Sequence, residues 1–442
     1  MELKHYIFLA MTFAFIPVAS WFGMRFVWAE KILVAGAFFS TSYLVDINIL
    51  SMEEYRGDTR GFEFGVTDWM IISLALVMLF SPRWRNKRPD FLPPNTVPMG
   101  LYLLLAILTL FVSYIPVYGA FGLSKILRAF LVYWVAYNYL RTEKDLRFFL
   151  MILVAIVSFE FMLVIYQRLI GIYRAHGTMP HSNTLALYMN MINMIFLSMV
   201  INDKSRGLVR LLYWAALGMG TLIVLATFSR GALAVMAACY MLVVTLSMYD
   251  RISLPKLKVL AIMGIAVLPV IIKVTPSIIE RFETAPVNAE LSRHQANDAA
   301  IAMANSGWLG IGINNYSHAV NNTDFSRYVP LEIDRGIVHN VYLLHAAEMG
   351  WIGLVVFLLL IGRFIWIALA ITIKRENHIV SHIAIGILAA MLALWLQSSL
   401  EWAFRQTYIV VEYFMLAGFL AALPRVRKQM RARKPQKRRV FA

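Results

Sequence analysis

Arg174, His176, His181 and Asn183 fall within ten residues of one another, and Arg230, Arg293, His294, His339, Asn340, Tyr342 and Arg405 follow along the rest of the chain. All lie in, or at the edge of, polar segments between long apolar runs. A charge at membrane depth costs at least a few kcal/mol, so arginines facing the inside of a helical bundle imply an anionic partner. The guanidinium fork suits phosphate oxygens. Imidazole, with an ordinary pKa of about 6.5, suits proton uptake near neutral pH. Together these residue types could bind a lipid-linked diphosphate and use it as the leaving group in group transfer. Arg174, His176, His181, Asn183, His294, Asn340, Tyr342 and Arg405 are then the expected substrate contacts around that centre.

Each residue also has a plainer reading. Arg230 opens an apolar run and can snorkel to the headgroups. Arg293 suits the solvated face of an amphipathic helix, paired with nearby acids. His339 suits a histidine bonded to a backbone carbonyl. Arg174 and Arg405 suit anchors at the membrane interface, and His176 and His181 a loop surface. Glu348 lies within one helical turn of His345 and is expected to pair with it. Gly350 and Gly353 read as close-packing positions.

What is missing narrows the chemistry. The sequence has no Gly-x-x-x-x-Gly-Lys-Ser/Thr run, which argues against ATP-driven work. It has no Asp-x-Asp pair and no His-Glu-x-x-His, hence no strong metal signal, and no serine-hydrolase elbow. Its one cysteine, Cys239, lies in an apolar run, so no disulfide forms within the chain and no cysteine-based metal site exists. No cofactor is expected.

The elements that must position these groups are membrane helices. Of 442 residues, 60% are hydrophobic and 15% charged, which excludes an ordinary soluble domain. Crossing a hydrocarbon core of roughly 30 Å takes about 20 apolar residues. Runs of that kind recur at roughly residues 5–23, 31–48, 67–80, 97–117, 123–140, 148–170, 184–201, 208–228, 231–248, 258–275, 341–373, 382–400 and 407–423. The expected fold is therefore all-α, a polytopic membrane protein with about 12 or 13 transmembrane helices. Ten of them occupy residues 1–275, a long loop fills 276–340, the last spans fill 341–423, and 424–442 is a basic tail. The first run, Tyr6 to Met24, reads as a retained span, because no small-x-small cleavage pattern precedes a soluble domain.

The formal charge of +16 sits in short loops and the tail, where topology and anionic headgroups account for it. Membrane lipids are thus expected as partners and nucleic acid is not. Arg83–Arg88, Arg141–Arg147, Lys204–Arg206, Lys256–Lys258, Lys374-Arg375 and the tail from Arg425 fall on one side if the spans alternate. That side is expected to be the cytoplasm. Ser51–Val66, Tyr173–Ser182, the Ser229-Arg230-Gly231 turn, the long loop and Glu401–Gln406 then lie opposite. Thirteen spans put the N-terminus with them, and twelve put it with the basic loops. No internal repeat is visible, which counts against an inverted-repeat transporter.

A loop as long as 276–340 is usually functional. It opens with a capping box, Ser277-Ile278-Ile279-Glu280, and holds a helical stretch from about Ala289 to Asn305, stopped by Ser306-Gly307. With Arg293 and His294 on that helix, the loop is expected to supply a lid and half of the active site.

Several of these motifs carry a family resemblance. Phe228-Ser229-Arg230-Gly231 at a span junction resembles the O-antigen ligase and polymerase superfamily of bacterial surface-glycan enzymes. So do Trp308-Leu309-Gly310-Ile311-Gly312-Ile313-Asn314-Asn315-Tyr316 after a loop arginine, His339-Asn340-x-x-Leu343 with Glu348-x-Gly350, and Arg174-x-His176-Gly177-Thr178-x-x-x-Ser182-Asn183. The stretch covers about residues 150–400. The resemblance implies a GT-C-like helical fold, a donor glycan on undecaprenyl diphosphate, and transfer at the periplasmic face of the inner membrane. Ligases transfer to lipid A-core, polymerases to another lipid-linked repeat, and a third branch to protein hydroxyls. It also implies Arg230 and Arg293 on the diphosphate and His339 at the reaction centre, with two roles open to the histidine: base or phosphate ligand. Glu53-Glu54-Tyr55-Arg56-Gly57-Asp58-Thr59-Arg60-Gly61-Phe62-Glu63 lies outside the resemblance and gains no role from it.

Overall fold

A computed structural model describes residues 3–250, 252–265, 275, 287–330, 335–374 and 378–433. In hydrocarbon every backbone polar group must be satisfied within the chain, and continuous apolar sequence therefore folds as helix. The helices are α1 (Leu3–Arg25), α2 (Val27–Phe39), α3 (Val66–Phe80), α4 (Thr96–Thr109), α5 (Pro116–Tyr139), α6 (Glu143–Leu169), α7 (Ser182–Asn202), α8 (Gly207–Ala226) and α9 (Arg230–Asp250). They continue with α10 at 254–265, α11 (Val287–Asn305), α12 (Tyr316–Asn322), α13 (Val341–Thr372), α14 (Ile379–Gln397) and α15 (Thr407–Arg433). Among the described residues nine of them, α1, α5 to α9 and α13 to α15, are long and apolar enough to cross a membrane, and α3 and α4 are shorter apolar helices. The protein is an all-α, multi-pass membrane protein.

The expected span at 31–48 is corrected. Helix α2 stops at Phe39, and its 13 residues reach only about 20 Å at 1.5 Å per residue. Ser40, Thr41 and Ser42 end it by donating their hydroxyls to the carbonyls of Ala37, Phe38 and Phe39, at 3.0, 2.8 and 2.8 Å. Beyond them the chain forms an antiparallel hairpin, β1 (Asp46–Ile49) with β2 (Phe62–Gly65), in the register Asp46 to Gly65 through Ile49 to Phe62. Of the expected span at 258–275, all but 266–274 lies within the described residues, and the helix there covers the first part. The capping box at Ser277–Glu280 and the tail beyond Arg433 lie outside the described residues.

The loops sort onto two faces. On one, the Arg141 guanidinium lies over Trp84 at 4.8 Å and donates to the Arg88 carbonyl at 3.4 Å. Arg147 donates to Ser205 at 3.1 Å, and Arg425 to the Leu140 carbonyl at 2.9 Å. The basic segments after α3, α5 and α7 and the end of α15 thus meet one another. The hairpin, the α6–α7 and α8–α9 turns, the start of α13 and the α14–α15 turn gather on the other face. His5 Nε2 lies 3.1 Å from the Asn48 carbonyl of β1. The start of α1 is therefore on this second face.

At the centre runs α7, buried along its whole apolar stretch and packed against α14, α8 and α9. Helix α13 kinks at Gly350, whose φ of 71° and ψ of 174° only glycine adopts readily. Helix α11 ends at Asn305, with Ser306-Gly307 beyond it, as the sequence indicates. Its Ala299, Ala300 and Met303 pack on Tyr316, Val320 and Leu344 in a small second core.

Candidate active site

A cavity of about 550 Å³ opens on the face opposite the basic loops, and Arg56, Arg60, Arg174, His181, Asn183 and His339 line it. Five separate pieces of chain deliver its walls: the hairpin loop, the α6–α7 loop, the first turn of α7, the residues before α13, and the α14–α15 turn. Its other ionisable wall residue is Glu401.

A chain of polar contacts runs through it. Arg174 donates from Nε to the Thr227 carbonyl at 3.1 Å and from Nη2 to Asn183 Oδ1 at 2.8 Å. The Asn183 amide nitrogen donates to Glu401 Oε1 at 2.6 Å. Glu401 Oε2 lies 3.4 Å from His339 Nδ1. A carboxylate only accepts, so this contact places the imidazole proton on Nδ1 and leaves the Nε2 lone pair for another proton. The Glu401 carboxylate is buried, whereas the imidazole is nearly half exposed, at 45%, and open to substrate.

The loop bearing Arg174 is held from below. Glu160 of α6 accepts from the backbone nitrogen of Thr178 at 3.1 Å and from its hydroxyl at 2.5 Å. Gln167 accepts from the nitrogens of His176 and Gly177 and donates to the Gly177 carbonyl, all at 2.8–2.9 Å. Gly177 has φ 57°, and a Cβ there would sit 2.1 Å from a Glu160 oxygen. The positive φ favours glycine there, and a Cβ would displace the Glu160 carboxylate from Thr178.

The remaining expected residues fall outside the cavity lining. The His176 imidazole donates from Nδ1 to the Met179 carbonyl at 2.7 Å within its own loop. Asn340 caps α13, its Oδ1 accepting from the nitrogens of Tyr342 and Leu343 at 3.1 and 3.2 Å. The Tyr342 hydroxyl donates to the Trp395 carbonyl at 2.7 Å. Arg293 and His294 stand exposed on α11. Arg230 is half-buried at the first position of α9, in the turn that Arg174 braces through Thr227. Phe228 in that turn takes a left-handed φ of 49°.

Arg405 is 5% exposed, and it is neither at the membrane interface nor in the cavity wall. It pairs with Glu348, which corrects the expected pairing of Glu348 with His345. The His345 ring instead contacts the Tyr102 hydroxyl at 2.9 Å and donates to the Val341 carbonyl at 2.7 Å. Arg405 begins a buried ionic ladder. It lies 3.8 Å from Asp58, which meets Lys125 at 3.0 Å. Lys125 reaches Glu63 at 3.4 Å, and Glu63 meets Arg128 at 3.1 Å. Arg128 closes the ladder on Asp68 at 2.8 Å. Burial opposes the Glu63 charge, but Lys125 and Arg128 outweigh it and hold the carboxyl below its ordinary range. The ladder ties the 53–63 segment to α5 and to the α14–α15 turn, with Arg56 and Arg60 at the cavity.

The motif Trp308–Tyr316 serves as a clasp. Ile311 and Gly312 donate their backbone nitrogens to the carbonyls of Ala347 and Glu348, both at 3.0 Å, just before the α13 kink. The Asn314 amide nitrogen donates to the carbonyls of Thr59 and Tyr118 at 2.8 Å each, joining the clasp to the hairpin. A Cβ on Gly350 would lie 2.0 Å from the Trp308 carbonyl oxygen, which makes this a close approach of two backbones.

Arg56, Arg60 and Glu401 were not found by sequence reasoning. The signal for the first two was present: two arginines in an acidic external segment between spans, against the usual charge asymmetry. Residues 214–358 match the family model described as O-antigen ligase. No curated protein matches the chain. The matched stretch contains Arg230, Arg293 and His339 and excludes Arg56, Arg60, Arg174 and Glu401.

Proposed function

We propose, on the premise that residues 214–358 place the chain in the O-antigen ligase-like superfamily, that it is a glycosyltransferase of the ligase type. It moves a glycan from undecaprenyl diphosphate to an acceptor hydroxyl, lipid A-core in the ligase branch, at the periplasmic face of the bacterial inner membrane. One observation carries the reading: a cavity of about 550 Å³ lined by three arginines, with an imidazole set against a buried carboxylate, on the face away from the basic loops.

In this scheme the acceptor hydroxyl gives its proton to Nε2 of His339. Its oxygen bonds to the anomeric carbon as the bond from that carbon to the diphosphate oxygen breaks. The electron pair leaves with the diphosphate, and attack from the opposite face inverts the centre. Fixed guanidinium groups favour the charge that grows on the departing oxygen, most strongly in the transition state. Arg174, which lines the cavity and braces the turn that presents Arg230, is a proposed donor arginine together with Arg230 and Arg293, which lie inside the matched stretch and outside the lining. Glu401 keeps the imidazole in the tautomer that can accept. The energy comes from the donor bond, so no nucleotide is needed, and the arginines take the charge-neutralising part that a metal ion plays in other diphosphate sites.

The test uses purified protein with lipid-linked glycan in EDTA, without nucleotide. Lipid A-core, a second lipid-linked repeat and a hydroxyl-bearing peptide are offered as acceptors. Glycosylated lipid A-core supports the ligase reading. Product on the repeat alone would convert it to polymerase. Activity lost in EDTA and restored by magnesium or manganese would overturn the scheme.

A further inference from the structure

Two groups of cations face the cavity, and they are held by different parts of the fold. Arg174 belongs to the α7–α9 side. Its guanidinium is engaged by the Thr227 carbonyl and Asn183, next to the turn that opens α9 at Arg230. Arg56 and Arg60 belong to the hairpin, which is fastened on α5 and on the clasp before α12. The Tyr55 ring stacks on Tyr118 at 4.0 Å, the Asn314 amide holds Thr59, and Asp58 and Glu63 are set into the ionic ladder. Segment 401–406 joins the groups. Glu401 at one end contacts Asn183 and His339, and Arg405 near the other faces Asp58.

The hairpin arginines are placed with care. Gly57 between them leaves no room for a side chain, since a Cβ would fall 2.0 Å from the Tyr55 ring. Both arginines are exposed at the cavity. Among the described residues the Arg60 guanidinium has no hydrogen-bond or ion-pair partner. Burying an ionic ladder merely to position a loop is costly, because removing charges from water costs several kcal/mol per ion. A transfer reaction brings two substrates to one base. With the donor's diphosphate assigned to Arg174, Arg230 and Arg293, the hairpin pair stands on a separate wall of the cavity, where the second substrate would lie.

We infer that Arg56 and Arg60 form an anion subsite for the acceptor, and that the acceptor is a glycan carrying phosphate groups near the hydroxyl that reacts. The inference rests on the glycosyl-transfer reading of the cavity. It adds a specificity element from outside the family-matched stretch.

The experiment compares wild type with the R56Q/R60Q double variant of the full chain in nanodiscs. Two acceptors are used: a phosphorylated glycolipid and the same glycolipid after phosphatase treatment. Loss of two charge-assisted contacts should raise the acceptor KM for the phosphorylated form at least about tenfold, with the rise falling on the acceptor KM rather than on the donor KM. The dephosphorylated form should show little difference between the two proteins. A rise in donor KM instead, or a wild type indifferent to the phosphates, would overturn the inference. If wild type transfers to neither glycolipid, the function reading has failed, and equilibrium binding of the two glycolipids decides the subsite alone. A phosphate preference lost in the double variant supports it, and equal binding to both proteins rejects it.

Discussion

At the scale of single residues, the contact between His339 and Glu401 determines what each substitution should do. His339→Ala should lower turnover while donor binding persists, and the acid limb of the wild-type pH–rate profile should vanish with the imidazole. An unchanged acid limb together with lost donor binding would make the histidine a phosphate ligand. Glu401→Gln removes the charge that favours the Nδ1 proton. At 3.4 Å the contact is long, so kcat should fall only about tenfold, the low end for a hydrogen bond to a charged group. Arg230→Ala and Arg293→Ala should each cost about 10- to 150-fold in kcat/KM, corresponding to roughly 1.5–3 kcal/mol per charged contact. Arg→Lys should recover little, because an ammonium lacks the fork. His339, Arg174, His181 and Asn183 were legible in the sequence because a histidine or arginine between apolar runs stands out. Glu401 was not, because nothing local distinguishes a lone carboxylate in a short turn. Its partner Asn183 is 218 positions away.

At the scale of elements, two devices hold the walls in place. Trp308–Tyr316 and Glu348-x-Gly350, which carry the family resemblance, meet each other as backbone at two left-handed glycines, Gly310 and Gly350, and Gly350 is the close-packing position that the sequence indicates. Gly350→Ala forces a Cβ against the Trp308 carbonyl and should destabilise the protein by about 3 kcal/mol or more, measured by thermal unfolding in detergent. The ionic ladder was invisible because its members lie on α3, α5, the hairpin, α13 and the α14–α15 turn, with no shared period. Removing Arg405 leaves Glu348 buried and unpaired, so Arg405→Ala should cost about 3–5 kcal/mol. Acid should loosen the hairpin in a defined direction. A carboxyl held low in the folded state stabilises fully above its ordinary value of 4.5, and that support is lost as the pH falls below it. Asp46 works in the opposite sense, since burial and then Glu63 raise its pKa. The Glu63 contribution to amide protection in residues 46–65 should therefore be lost below that pH, and Glu63→Gln should remove that part of the dependence and leave the opposite Asp46 trend.

At the scale of the whole molecule, the two-faced arrangement was the most legible feature, because each basic loop reports its side independently and the reports agree. The length of α2 was less so, since an apolar run does not show where hydroxyls will turn a helix off. Single cysteines in a Cys239-free background test the orientation. Asn322→Cys should react with an impermeant thiol reagent added from the periplasm, and Lys144→Cys and Arg431→Cys only after the inner membrane is opened. The reverse pattern would remove the cavity from its proposed side. The burial of α7 has a consequence for how the protein answers to its surroundings. Most of the apolar stretch of α1, α8, α9 and α13 is unburied among the described residues, the surface a bilayer would cover, and such helices tilt as the bilayer thickens or thins. Helix α7 is buried along that stretch, with His181 just before it and Asn183 in its first turn. This part of the cavity wall is thus suspended inside the bundle as a keel is inside a hull, and vesicles of short- and long-chain lipid should support similar turnover even where the outer helices respond to thickness.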